Sequence, residues 1–468
     1  MSRTCLPLLL LLLCVPVHAA DPVPLPGTKP LTMEGDIASA LVDGVDKFLL
    51  RKLEASIKQR EKHWKRDFTS PQAYEKSIEP NRKRLAHILG VRDPRVKFDA
   101  PELVGTTKDA ALVGKGEGYE IYAVRWPVLE DPDPNRTQVT VHGEGLLLVP
   151  VGGKKPVADV IAIPDCEQTP EQICGLTEGV PVESQFARRL AESGCRVIVP
   201  MLINRQERIH GITHREFLYR SAFELGRHLI GYEVQKVLAC VDWYASQTSD
   251  LESKDRRIGV IGYGEGGMLA LYAGALDTRI DAVCVSGYFD SRQSIWQEPI
   301  DRNVFGLLKE FGDAELVQMC FPRSALIDVS AAPRITAAGG RGAPYAVQSD
   351  AKRILLEWDR LRASSDVEKK LAAGAAIRVR ERPDGGLEPD LAPVIRQLAI
   401  ESFAQGLGCE LIESGPAPKA AKAYGVVTAA RHKRQFDEID LHNQLLLRES
   451  PYVRKAFMKK LEDAAKKG

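Results

Sequence analysis

Residues Arg256–Ala275 read RRIGVIGYGEGGMLALYAGA, and the fold turns on how this stretch is read. Ile258–Ile261 is a short apolar run that predicts a buried strand, and Met268–Ala273 is an unbroken series of helix formers. Four glycines in six residues join the two. A strand that turns so tightly into a helix needs positive φ and close backbone approach, which glycine supplies without steric cost. The same turn aims the free N–H groups of the helix at one point, so the functional site is expected there.

Two motifs fit these letters. As G-x-S-x-G, the turn is the nucleophile elbow of an α/β-hydrolase, with Gly262 and Gly266 as its outer glycines and the nucleophile's place at residue 264. That residue is Gly264, which has no side chain. As G-x-G-x-x-G, Gly262, Gly264 and Gly267 match a dinucleotide-binding loop, and Asp290 follows 23 residues after Gly267.

The order of elements along the chain separates the two readings. Tyr119–Trp126 and Gly145–Val149 predict an antiparallel pair at the sheet edge, and the apolar runs Val160–Ile163 and Val197–Ile203 flank a helix over Val182–Ser193. A helix over Gly231–Ala245 leads into the turn; strands at Ile280–Ser286, Ala325–Val329 and Ala376–Val379 follow it. Strands alternating with helices predict a mostly parallel sheet covered on both faces. A dinucleotide loop opens such a unit, whereas an elbow sits in mid-sheet, so the order favours the elbow. Glu265 agrees, because a carboxylate there would face the pyrophosphate that the helix dipole is meant to hold.

Composition sets outer bounds. The chain has 468 residues, 44% hydrophobic and 27% charged, enough for one large domain with extensions or for two domains. Lys and Arg number 64 against 63 Asp and Glu, so no net field recruits nucleic acid or an anionic membrane. Arg3, the apolar run Leu6–Val17 and the small-residue site Val17-His18-Ala19 predict a signal peptide over 1–19, hence a secreted or periplasmic protein without a membrane span. Nine cysteines are present and seven follow that segment; Cys166 and Cys174, in one loop, are the pair considered for a disulfide. The absence of a C-x-x-C pair argues against zinc.

Several segments together resemble the dienelactone-hydrolase and acetyl-xylan-esterase-like branch of secreted α/β-hydrolases: GEGLLLVP, VIAIPDCEQTPE, SQFARRLAESGCRVIVP, GRHLIGYEVQKVLACVDWY, GVIGYGEGGMLALYAGALDTRIDAVCVSGYF and WQEPIDRNVFGLLKEFGDAEL. The resemblance covers roughly residues 100 to 410. It implies an esterase acting on an acylated carbohydrate or small ester, with a serine or cysteine at the elbow, an acid after the next-to-last strand and a histidine after the last. This chain departs at each point. Gly264 offers no nucleophile, Ser330-Ala331-Ala332-Pro333 follows the Ala325–Val329 run without a carboxylate, and the loop RERPDGGLEPD after the last strand has no histidine. The rival expectation is a catalytically inactive pseudo-hydrolase that binds a ligand or protein partner.

The remaining candidates are named by position. The backbone of Gly262, Gly264, Glu265 and Gly266 is expected to keep an oxyanion-type pocket, and Glu265, Asp165, His214 and His228 are the candidate catalytic side chains. Asp165 ends one strand, and the loop 204–228 carries the histidines with Arg205, Arg208, Arg215, Arg220 and Arg227. Arg205 and Arg227 are candidates for binding a carboxylate or acidic sugar, against a plainer reading as ion pairs, and Trp296 for stacking on a sugar ring. His210 and His214 share i,i+4 spacing, but no third ligand stands at fixed spacing, so neither metal nor cofactor is expected. The domain reading is a linker over 20–43, a helical preface over 44–100 held by Trp64, an α/β-hydrolase domain over 101–412 and a helical tail over 413–468 that either docks a protein partner or packs on the body.

Overall fold

The apolar runs become strands in the computed structural model, which describes residues 25–29, 32–105, 110–133, 135–247, 256–330, 332–333, 335, 351–363, 377–379, 397–421, 425–450, 455, 459–460 and 465–466. The expected leader and the loop after the last strand lie outside these residues. The chain divides into Met1–Lys52 and Leu53–Gly468. Phe48 and Leu49 are about half exposed on a helix, Ile37–Gln59, that buries no residue.

Among the described residues the main sheet has eleven strands. In chain order they are β1 (Glu102–Leu103), β2 (Leu112–Gly116), β3 (Tyr119–Glu130), β4 (Val139–Pro150), β5 (Asp159–Ile163), β6 (Arg196–Pro200), β9 (Ile258–Tyr263), β10 (Ala282–Ser286), β11 (Ser324–Asp328), β12 (Ile377–Val379) and β13 (Lys419–Ala420). The remaining two, β7 (Arg208–Ile209) and β8 (Ile212–Thr213), form a small hairpin sheet. The spatial order is β12-β11-β10-β9-β5-β6-β4-β3-β2-β13, with β1 beside β3. From β12 to β6 every pair is parallel; β4 then joins antiparallel, with Leu146 opposite Val199 and Leu148 opposite Val197. The strand that carries the glycine turn therefore lies in mid-sheet, where an elbow belongs.

Two apolar clusters cover the two faces. One joins Ile161, Ile198, Val260 and Val283 to residues of the helices Pro71–Leu89, Leu229–Ser246 and Glu265–Leu276; the other joins Val160, Val197, Ile261 and Cys284 to Phe186 and Leu190 on one helix and Phe403 on another. Alternate residues of one strand thus serve opposite layers, the arrangement a parallel sheet requires. Trp64 anchors the helical segment that precedes the sheet, as expected: its Nε1 donates to Glu310 O at 3.1 Å and its ring meets Phe311 edge-on at 5.6 Å. Ser70 caps the Pro71–Leu89 helix by accepting from Ala73 N–H at 3.0 Å, and Gly90 closes it at φ 74°.

Three boundaries differ from expectation. The run Val197–Ile203 ends as a strand at Pro200: Met201 N–H adds one last bond to Glu144 O of β4 at 2.9 Å, and Ile203 N–H then turns off the sheet to the Glu233 carboxylate at 3.2 Å. Tyr119–Trp126 is no edge, since β2 and β13 pair beyond it; LVGKG is too short and glycine-rich to announce a strand. The tail is not separate from the sheet, because β13 belongs to it and the helix Gly425–Glu449 packs on β4 and on the helix His214–Glu224. Arg434 makes a two-pronged pair with Glu144 at 2.9 and 2.6 Å, and Asn443 accepts from Tyr232 OH at 2.8 Å.

This packing seals imidazoles inside. His432 accepts from Asn204 N–H at 3.1 Å and stacks on His214 at 5.4 Å, while His442 meets Thr140 Oγ1 at 2.7 Å. Burial above all holds both rings down to about 4, against an ordinary 6.5. Between those values the unfolded chain binds protons that the folded one refuses, so the stability they contribute is whole above pH 6.5 and is lost as pH falls toward 4. The thermal midpoint is expected to fall across this interval, and to fall less in a His432→Gln/His442→Gln variant. Parallel pH curves for the two proteins would contradict the assignment.

Candidate active site

The elbow keeps its backbone. Gly264 has φ 59° and ψ −119° at the end of β9 and caps the helix Glu265–Leu276. Its N–H donates to Ser286 O at 3.0 Å, and its carbonyl accepts from Met268 N–H at 3.1 Å. A Cβ on Gly266 would overlap Ile163 O, so the helix sits against β5 at a distance only glycine permits.

Asp165, on the loop after β5, fills the space left by the missing side chain. Its Oδ2 accepts from Glu265 N–H at 2.9 Å and its Oδ1 from Glu167 N–H at 3.0 Å. A Cβ placed on Gly264 would overlap Oδ2 and come within 2.5 Å of Pro333 Cγ. The amide expected to meet a substrate oxyanion is thus already bound to a carboxylate of the chain itself. Burial raises the Asp165 carboxyl above its usual value and Glu265 raises it further, while the two N–H donors oppose both.

Glu265 is locked. Its carboxylate receives Arg205 and stands 3.3 Å from Arg302 Nε, and all three side chains are buried. Burial alone would raise its pKa, but Arg205, Arg302 and Arg215 hold it well below the carboxylate range. Asp301 bridges Arg205 at 2.8 Å and Arg215 at 2.8 Å; Arg215 in turn grips Glu233 with two bonds of 2.8 and 3.0 Å. Arg302 also reaches Glu298 at 3.1 Å. A glutamate so charged and so enclosed is neither a general acid nor a base at neutral pH.

Of the other candidates, Arg205 joins this network and also donates to Cys166 Sγ at 2.9 Å. Cys166 and Cys174 are both free thiols, in separate apolar clusters on opposite sheet faces, so the disulfide considered from spacing does not form. His228 caps a helix: its Nδ1 accepts from Ile230 N–H at 3.0 Å, and burial depresses it to about 4. His214 lies against Phe436 at 4.0 Å. Arg227 pairs with Asp93 at 2.6 and 2.8 Å, the plainer of its two readings. Trp296 is 47% exposed on the loop after β10.

Asp328 ends β11, one residue short of the loop where an acid would serve a triad, and accepts from Ser286 Oγ at 2.7 Å and from Ser330 Oγ. Sequence reasoning missed Glu233, Glu298, Asp301 and Arg302 as site residues. Glu233 and Asp301 sit in stretches that otherwise read as core helix and as loop, and a charge in a mostly apolar helix was the available signal. Among the described residues, no group of histidine, cysteine and carboxylate is placed to hold a metal ion.

Comparison with solved structures finds an acetyl-xylan-esterase-named protein of Bacteroides fragilis at 16% identity, covering 83% of this chain and 94% of that one, with a TM-score of 0.49. A CE15 glucuronoyl esterase from Teredinibacter turnerae matches at 13% identity over 72% and 85%, TM-score 0.40. Acetyl Xylan Esterase 1 from Thermoanaerobacterium matches at 15% over 71% and 92%, TM-score 0.37. Comparison with curated proteins finds no match. Residues 170–306 match the Dienelactone hydrolase family. That span includes the turn itself, so the part of the chain around the turn is similar to the Dienelactone hydrolase family and is set in an α/β-hydrolase fold.

Proposed function

We propose that this protein is a pseudo-hydrolase: it keeps the α/β-hydrolase scaffold and acts by binding, without acyl transfer at the elbow. One observation supports this reading above the others, namely that Asp165 takes the Glu265 amide in the space where a nucleophile would stand. A carboxylate at that point repels the developing negative charge of an acyl intermediate and accepts hydrogen bonds from hydroxyl groups. The ligand that suits it is a neutral carbohydrate, with Trp296 as the exposed aromatic ring for stacking. The leader-like residues 1–19 favour a role outside the cytoplasm.

The second reading is an esterase acting on an acylated carbohydrate, favoured by the family match across the elbow. A serine-directed fluorophosphonate probe and p-nitrophenyl acetate separate the two. Both are expected to give the blank rate, while neutral oligosaccharides, with or without acetyl groups, raise the thermal midpoint of the wild type more than that of a Trp296→Ala variant. Labelling of a serine together with turnover would overturn the proposal.

A further inference from the structure

The structure brings together two thiols that the sequence keeps 214 residues apart. Cys195 lies just before β6 and Cys409 just after the helix Gln397–Gly406, and their sulfurs are 3.7 Å from each other. Both are buried, at 0% and 3% exposure, in the same apolar cluster on one face of the sheet. The surrounding backbone is held in register on both sides. Cys195 N–H donates to Leu190 O at 3.0 Å, Cys409 N–H donates to Ala404 O at 2.9 Å, and Ile412 N–H donates to Ser193 Oγ at 3.1 Å.

We propose that Cys195 and Cys409 are a disulfide-forming pair and that the oxidised chain is the mature form. A disulfide is about 2.05 Å long, so each sulfur has to move only about 0.8 Å. Small rotations about the Cα–Cβ bonds supply that. No polar group stands between the sulfurs. The Cys409 thiol, lowered foremost by the hydrogen bond it receives from Cys195, is the better nucleophile of the two.

The step balances with a disulfide as the oxidant, either oxidised glutathione or the active-site disulfide of an exported thiol oxidoreductase. The Cys409 thiolate attacks one oxidant sulfur and releases the other as a thiolate, giving a mixed disulfide. The Cys195 thiolate then attacks the Cys409 sulfur and expels the second thiolate of the oxidant. Two thiols of the chain lose two protons and two electrons, and the oxidant is reduced to two thiols. Because both sulfurs are enclosed in the folded protein, the exchange belongs to folding, before the helix Gln397–Gly406 settles on the sheet.

The consequence is a clasp around the site. The closed loop runs from β6 to Cys409 and contains the elbow, β10 and β11, so the bond ties the carboxyl-terminal part of the sheet to its centre. Loops of this length lose the most unfolded-state freedom on closure. Cys166, by contrast, accepts from Arg205 at 2.9 Å.

The test uses the full chain, refolded in a glutathione buffer rich in the oxidised form, unfolded in denaturant and alkylated with iodoacetamide before any reductant. Peptide mass mapping is expected to show Cys195 joined to Cys409 in a species lighter by two hydrogens than its reduced form, with every other thiol alkylated. Reductant should lower the thermal midpoint of the wild type by roughly 5 °C. It should leave a Cys195→Ser/Cys409→Ser variant unmoved. Alkylation of both Cys195 and Cys409 in the unreduced wild type, or a bond joining either to any other cysteine, overturns the proposal. The mapping needs only the wild type, so a variant that fails to fold does not weaken it.

Discussion

Arg215→Ala is expected to lose about 3–5 kcal/mol of folding stability, the largest loss of any single side chain in the network beneath the turn. Arg215 is fully enclosed, as is its partner Glu233, and one guanidinium serves Glu233 by two bonds, Asp301 by one and Ile203 O by another at 2.7 Å. Removing it leaves Glu233 without its pairing cation in a region that water does not reach, and leaves Asp301 to Arg205 alone. A buried charge stripped of its partner costs more than the pair was worth, because the desolvation penalty stays while the attraction goes. The double variant Arg215→Leu/Glu233→Leu should therefore recover a large share of the loss. Denaturant titration of the three proteins provides the measurement. A single variant within about 1 kcal/mol of wild type would mean that water enters the network and screens it.

The second large effect concerns the vacancy itself. Gly264→Ser is expected to destabilise the protein by about 1–3 kcal/mol through backbone conformation and by about as much again through overcrowding. Ester turnover should stay at the blank rate. The serine Cβ would collide with Asp165 Oδ2 and Pro333 Cγ, so Asp165 would have to give up the Glu265 amide. Adding Asp165→Ala should relieve the crowding and return part of the stability, again without turnover. The reason is the missing base: the sequence from residue 380 to residue 396 has no histidine, and His228 and His214 are engaged as a helix cap and in a ring stack. Esterase activity rising on the order of 10²-fold in either variant would show that a general base is within reach.

Much of the architecture was readable from local pattern. The apolar run before the glycines, the helix formers after them and the alternation of strands with helices placed β9 in mid-sheet, because each rests on the residues of a short window. Elements failed to announce themselves where the window was uninformative. LVGKG and Lys419–Ala420 are too short to carry a period, and Met201–Ile203 is as apolar as the strand it follows but turns off the sheet where Ile203 N–H meets the Glu233 carboxylate. The site was half readable. Asp165, Glu265 and Arg205 were singled out, but nothing in their spacing says that a carboxylate from the loop after β5 would take the amide of a residue 100 positions later.

The sequence by itself determined the elbow's backbone, the absence of a side chain at residue 264 and the absence of a histidine from residue 380 to residue 396. These are matters of which atoms a residue carries, and no folding can add them. Only the tertiary structure decided what stands in the empty place, which arginine neutralises which buried carboxylate, and that Cys195 meets Cys409. Those pairings depend on sheet order, which brings distant segments within a few ångströms. Coulombic and van der Waals forces act through that distance and not through separation along the chain.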